Sequence, residues 1–149
     1  MKLTHTVRLS VFAYEGEDSA KIESAIKSLC PFSLEQEKLE LKQTNATGFA
    51  ERRIVIFEIL LQKEKHTNAF LSNLKEKLSD NQRQLLLRQS DSRLDDELNF
   101  FIRLDKDKLL NESRVWITDS GNCFHIRMSV AAYPSNRKSA LKVISQWLS

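Results

Sequence analysis

The sequence predicts an α+β domain: a two-layer sandwich in which helices cover one face of a largely antiparallel or mixed sheet. Residues 5–14 and 98–104 alternate apolar and polar side chains with the period of two that half-buried strands show. Residues 67–79 and the last segment of the chain instead carry apolar residues at helical spacing. Because each amphipathic helix needs an apolar surface to cover, one helical layer on one sheet satisfies both patterns.

The size of the chain predicts a single domain over residues 1–149. A chain of 149 residues with 41% hydrophobic side chains can bury one core, and its three glycines and two prolines form no linker. Cys30 and Cys123 are the only cysteines and no apolar signal segment precedes them, which favours a reduced, cytoplasmic location. No run approaches the ~20 apolar residues of a membrane span.

The first half of the chain reads as a strand, a helix and two further strands. After the strand 5–14, "EGED" makes a turn, and residues 19–30 form a helix that Asp18 or Ser19 caps and Pro31 ends. A short strand follows around residues 38–42, where leucines alternate with charged residues. Gly48 marks a turn before "RRIVIFEILL" (52–61), a β-rich apolar run typical of a central strand.

The second half adds helices, strands and a closing helix. Two helical segments precede the strand 98–104, and "DKDKLLNE" after it suits one or two helical turns. "TDSG" (118–121) is rich in turn formers and predicts a hairpin between its flanking strands. The predicted elements are helices at 67–79 and 81–89, the strand 98–104, helical turns at 105–112, hairpin strands at 114–117 and 122–132, and a helix after Pro134 that Ser135 or Asn136 caps.

The face of the sheet opposite the helices combines cations with aromatic rings. Phosphates attract arginine and lysine, and unstacked bases stack on aromatic side chains at roughly 1–3 kcal/mol each. This composition favours RNA as a ligand, although the net charge of 23 basic against 20 acidic side chains does not require one. If the helices cover the parity of Val7, the open face carries Arg8, Ser10, Phe12, Tyr14, Asn99, Phe101, Arg103, Cys123, His125 and Arg127.

Two other interpretations fit the same alternation. Arginines on a solvent-facing strand are often only solubilising, and these can pair across strands with Glu58 or Glu40. Alternatively, Phe12, Tyr14 and Phe101 form a homodimer or protein-interaction surface with the arginines at its rim.

Catalytic and metal-binding patterns are weak, so the sequence predicts no enzyme, metal or cofactor. The three histidines show no ligand spacing with the cysteines, and no GxGxxG, P-loop or GxSxG motif is present. The pairs Asp95/Asp96 and Asp105/Asp107 lie at element boundaries, where acids ordinarily cap helices or face water. Cys30 lies at the C-terminus of a helix, a position that does not lower the pKa of a thiol. Its side chain is therefore expected to be buried and to pack in the core.

Four segments resemble an archaeal RNA-binding family, formerly a domain of unknown function and often labelled a predicted exosome subunit. They are "VRLSVFAYEGED" (7–18), "AIKSLCP" (25–31), "RLDDELNFFIRLDKDKLL" (93–110) and "FHIRMSVAAYP" (124–134). The resemblance implies a domain like that of the ribosomal protein that binds 5S RNA. It also implies a non-catalytic protein of the archaeal cytoplasm that acts in RNA processing or ribosome biogenesis, beside RNA and RNA-processing proteins.

The chain departs from the family in two places. The turn "NATGFAERRI" keeps Gly48 and places Arg52 and Arg53 next to it, and after "LDK" an expected glycine is replaced around Asn111 and Glu112. Residue pattern and resemblance together predict one set of RNA contacts. The residues expected to contact phosphates are Arg8, Arg53, Arg103, Lys106 and Arg127. Those expected to stack on bases are Phe12, Phe101 and His125.

Overall fold

Five strands form one antiparallel sheet in the computed structural model, which describes all 149 residues. The strands are ordered β2-β3-β1-β5-β4, so the first strand of the chain lies at the centre. Every neighbouring pair is antiparallel, which confirms the predicted fold class. The strands are β1 Thr4–Tyr14, β2 Leu41–Thr47, β3 Arg53–Leu61, β4 Asn99–Asp105 and β5 Cys123–Val130.

Six helices connect and cover the strands. Two of the first turns are capped as the sequence predicts: the Asp18 carboxylate accepts from Lys21 N at 3.1 Å and the Asn136 side chain accepts from Ser139 N at 2.9 Å. The helices are α1 Ser19–Ser28, α2 Glu64–Lys77, α3 Asp80–Arg88, α4 Ser90–Arg93, α5 Lys106–Glu112 and α6 Arg137–Leu148. The helix predicted over 67–79 therefore begins one turn earlier, at Glu64.

The hydrophobic core lies between the helices and one face of the sheet. The side chains of β1, β4 and β5 that point toward the helices are buried, and the apolar stripes of α1, α2 and α6 pack against them. In α6 the Trp147 indole is buried and donates its Nε1–H to the carbonyl of Leu71 at 3.0 Å, which joins α6 to α2. Cys30 packs in this core as predicted, and burial raises the pKa of its thiol to about 12.

The predicted hairpin around 118–121 is wrong, because residues 116–118 pair with β4 and not with β5. Trp116 O accepts from Asp105 N at 2.7 Å and Thr118 N donates to Arg103 O at 3.0 Å, along the outer edge of β4. Both edges of β5 are already occupied by β1 and β4, so no edge of β5 remains for this segment. Buried Val115 and Ile117 hold it in place as a cover for the edge strand.

The strand predicted at 38–42 begins later and runs longer, as β2 Leu41–Thr47. Residues before it form turns instead, closed by a bond from Leu39 N to Leu34 O at 2.8 Å. Most of β2 is exposed on both faces, so no apolar alternation marked it in the sequence. Gly48 forms the turn to β3 as predicted, and its N–H donates to Arg52 O at 2.8 Å.

Candidate nucleic-acid interface

The register of β4, β5 and β1 brings the predicted cations and rings onto the open face of the sheet. Arg127 of β5 lies opposite Phe101 of β4 on one side and opposite Arg8 of β1 on the other. In the next row His125 lies between Arg103 and Ser10. Directly paired residues point to the same face, so the parity predicted for Arg103 and Arg127 is confirmed.

Six of the eight predicted contact residues line a single shallow groove of about 440 Å³ across these three strands. Phe12 and Phe101 are each 39% exposed, which is unusual for two large apolar rings on one surface. We call this surface the basic groove. Its six predicted residues are Arg8, Phe12, Phe101, Arg103, His125 and Arg127.

The three arginines of the basic groove differ in how their charge is compensated. Arg8 donates to Glu58 at 3.1 Å, the cross-strand pair that the sequence suggested, and both side chains are partly exposed. Arg103 donates only to the backbone oxygen of Asp119, at 3.1 Å. Arg127 makes no side-chain hydrogen bond or ion pair, although it lies directly opposite Arg8. Like charges placed opposite each other on neighbouring strands destabilise a sheet, so an anion here relieves a built-in repulsion.

His125 contributes a neutral ring and not a charge. Its Nε2–H donates to Gly121 O at 3.2 Å, and the Cys123 sulfur lies 3.6 Å from the same nitrogen. Burial and the charge of Arg103 lower the pKa of His125, and together they outweigh the hydrogen bond to Gly121. At neutral pH the ring therefore offers an uncharged stacking surface.

Two residues of the same strand parity are buried and do not contribute to the open face. Asn99 donates its backbone N–H to Asp95 at 2.8 Å and its side-chain amide to the same carboxylate at 3.3 Å. Burial alone raises the pKa of Asp95, but these bonds and one from Glu97 N lower it below its ordinary value. Asp95 thus caps a turn, as its position at an element boundary predicted. Cys123, the second of these residues, is also buried, and burial raises the pKa of its thiol.

Arg53 does not lie in the basic groove. It begins β3 opposite Thr47 and shares the parity of the buried Phe57 and Ile59, so its side chain leaves the sheet on the helical side. The helices do not reach this end of the sheet, and Arg53 is exposed beside Arg52 and the fully exposed ring of Phe49. It forms a separate basic position at the tip of the β2–β3 hairpin.

Lys106 does not lie in the groove either, because its ammonium is buried in an internal network. The ammonium donates hydrogen bonds to three partners: Phe12 O at 2.7 Å, the Glu17 carboxylate at 2.9 and 3.1 Å, and Asn122 Oδ1 at 2.8 Å. The ring of Tyr14 lies 5.2 Å from the same nitrogen. Lys106 is only 6% exposed and joins β1, its following turn and the loop before β5.

Sequence reasoning missed Arg93, which lies beside the groove at the edge of β4. Its guanidinium donates to Gln89 Oε1 at 2.7 and 3.0 Å and to Phe101 O at 3.4 Å, and its side chain is only 11% exposed. Burial and the nearby charge of Arg103 lower the pKa of Arg93, while Asp119 raises it. Arg93 closes the four-residue helix α4, which is too short to show a period in the sequence.

Neither a metal cluster nor a membrane span is visible in the structure. No group of three or more histidine, cysteine or acidic side chains is arranged to hold an ion, and none of the six helices has the length and apolarity that crossing a bilayer requires.

Comparison with known proteins identifies the family. A family model described as RNA binding matches residues 6–130, which is most of the chain. The chain belongs to this RNA-binding family. A relative in Pyrococcus abyssi, the RNA-binding protein PAB1135, is 26% identical over 145 residues, which cover 97% of this chain and 93% of that protein.

Solved structures of archaeal proteins share the fold along the whole chain. Protein AF2318 from Archaeoglobus fulgidus, of the family DUF54, superposes with a TM-score of 0.85 at 26% identity, covering 97% of this chain and 99% of that one. Mth689 from Methanothermobacter thermautotrophicus, also a DUF54 protein, gives a TM-score of 0.78 at 24% identity and covers 99% of both chains. The resemblance that the sequence motifs indicated is confirmed, and the RNA-binding family includes archaeal members of the same fold.

Proposed function

We propose that this member of the RNA-binding family binds RNA through the basic groove and has no catalytic activity. Arg8, Arg103 and Arg127 contact phosphates, and Phe12, Phe101 and His125 stack bases. The observation that carries the proposal is the convergence of these six residues, predicted from three separate strands, on one open groove. The alternative that the arginines are merely solubilising does not account for the exposed rings between them.

Single-stranded RNA suits this surface better than a duplex. The rings of Phe12 and Phe101 lie on a sheet face, where only splayed bases can stack on them, whereas an A-form helix presents chiefly its backbone and 2′-hydroxyls. Each stacked base contributes roughly 1–3 kcal/mol, and its π-face makes the contact tolerant of sequence. The unpaired cation of Arg127, directly opposite the ring of Phe101, provides the central phosphate contact.

The two remaining predicted residues have other roles. We propose that Arg53, with Arg52, forms a second basic contact at the hairpin tip, away from the groove. The network around Lys106 favours a structural role for its ammonium in place of a phosphate contact. An accessory function in RNA processing or ribosome biogenesis, beside proteins of those pathways in the cytoplasm, stays a prediction from the family resemblance.

The wild-type protein should bind a short, fluorescently labelled single-stranded RNA with an affinity that falls as salt rises. Three phosphate contacts predict a slope of log affinity against log salt of about −2, since each contact to a single strand contributes about −0.7. Fluorescence anisotropy over a range of potassium chloride concentrations measures the slope. Absence of binding at low salt, or an affinity independent of salt, contradicts the proposal.

A homodimer through the open face is the second candidate, and the apolar composition of β3 favours it. Ile54 and Ile56 extend the open face opposite Tyr14 and Phe12, and Leu60, opposite Arg8, is more than one third exposed. An apolar half next to a basic half resembles the core and rim of a protein interface. A second copy seated on this half would leave Arg103 and Arg127 uncovered.

Light scattering distinguishes the monomer from the dimer. The RNA proposal needs no partner copy and predicts a mass near 17.3 kDa at high concentration. The dimer is favoured if the wild type has a mass near twice this value and the variant Leu60→Glu has a mass of 17.3 kDa. The reason is that desolvating a new carboxylate at the core of an interface is costly. Because Leu60 pairs directly with Arg8, the new carboxylate should also lower the affinity for RNA, so the mass alone decides between monomer and dimer.

A further inference from the structure

A second, slightly larger cleft opens at the edge of β4, next to the basic groove. It measures about 480 Å³, within the range of about 300–1,000 Å³ in which small ligands bind. Phe101 and Arg103 line both depressions, so an RNA strand in the basic groove reaches the cleft without a break. Its other walls are α4 and the segment that covers the edge of β4.

The polar groups of the cleft carry both signs of charge. Arg93 lies at its wall as a mostly buried cation whose nearest carboxylate, Asp119 Oδ1, is 3.7 Å away, beyond hydrogen-bond distance. Asp119 itself is 94% exposed and makes no shorter side-chain contact to a cation. The cleft thus offers unused donors on Arg93 beside unused acceptors on Asp119, with the exposed ring of Phe101 at its border.

These groups are the complement of a guanine base. Guanine presents two adjacent acceptors, N7 and O6, which arginine binds more often than any other base edge. Its N1–H and 2-amino groups are adjacent donors, which a carboxylate accepts. A phosphate group fits less well, since the carboxylates of Asp95 and Asp119 line the same cleft and repel an anion. Adenine, which carries an amino donor where guanine has O6, mismatches the arginine.

We propose that this cleft binds one guanine of the RNA strand, with Arg93 donating to the N7/O6 edge, Asp119 accepting from N1–H and the 2-amino group, and Phe101 stacking on the ring. The inference rests on the proposed RNA binding and adds a base preference to it. Backbone contacts in the basic groove supply affinity, and the cleft supplies selectivity.

A set of matched oligonucleotides tests the proposal on the full chain. A short single-stranded oligoadenylate with one central guanosine should bind about tenfold more tightly than the all-adenosine strand. Replacing that guanosine by inosine, which lacks the 2-amino group, should forfeit part of the preference. In Asp119→Asn the guanosine and inosine strands should bind alike, and the affinity for oligoadenylate should not fall, because the substitution removes a carboxylate that repels phosphate. Because Asp119 is exposed, circular dichroism should show an unaltered fold.

Arg127→Gln is the matched control, since it should weaken all strands equally and leave the guanosine preference intact. Equal binding of all strands to the wild type overturns the cleft assignment and leaves the proposed function standing. Failure of every strand to bind overturns both. Guanosine monophosphate that binds as tightly as the guanosine strand contradicts the assignment to an RNA base and points to a free nucleotide.

Discussion

Changing Arg103 and Arg127 together to glutamine should lower the slope of log RNA affinity against log salt by up to about 1.4. Each lost phosphate contact to a single strand removes about 0.7 from the slope, because fewer counterions are released on binding. Glutamine keeps a polar side chain and removes only the charge. The free energy of unfolding should change by no more than about 0.5 kcal/mol, since both side chains are exposed.

The matched control removes two cations from the helical layer. Arg88 of α3 and Lys142 of α6 are exposed and make no ion pair, so Arg88→Gln with Lys142→Gln changes the net charge by the same amount. This control should lose much less affinity than the groove variant. Equal losses in both pairs would show that overall charge, and not the open face of the sheet, attracts the RNA.

Lys106→Met should destabilise the fold by about 3 kcal/mol while leaving the residues of the basic groove in place. Removing the ammonium leaves Phe12 O and Asn122 Oδ1 without their shared donor, at about 1–3 kcal/mol for each buried unsatisfied group, and takes the cation from the partly exposed Glu17 carboxylate. Urea unfolding followed by circular dichroism measures the change.

Lys108→Met is the control for this loss, because Lys108 pairs with Glu112 on the surface of α5 and such pairs contribute at most about 1 kcal/mol. A Lys106→Met variant as stable as the wild type but unable to bind RNA would contradict the structural role. That result would instead support the phosphate contact that the sequence predicted for Lys106.

The sequence predicted the basic groove well because strand alternation carries the information. Arg8, Arg103 and Arg127 each lie within a strand whose other parity is apolar, and the period of two assigns their face without any tertiary knowledge. The register that brings them side by side follows once the strands pair in one sheet.

Positions at strand ends and beyond could not be predicted in this way. Lys106 follows β4 as the first residue of α5, so strand parity no longer applies, and its partners Glu17 and Asn122 are distant in sequence. Arg53 lies in the long apolar run of β3, where alternation is too weak to assign a face. Arg93 depends on tertiary contacts with the edge of β4 that no local pattern encodes.

The failure of the predicted 118–121 hairpin has a similar cause. Turn-forming residues show where the chain reverses, but they do not show which strand is free to pair. Both edges of β5 are taken by β1 and β4, so Trp116 and Thr118 extend the outer edge of β4 instead.

Mapping backbone amide shifts on titration with single-stranded RNA tests the central claim most directly. In a ¹⁵N-labelled sample, the largest shifts should fall on β1, β4 and β5, at residues such as Phe12, Phe101 and Arg127. The exposed residues of α2 and α6 should not move. Shifts confined to those helices, or to the hairpin tip at Arg52 and Arg53, would contradict the assignment of RNA binding to the basic groove.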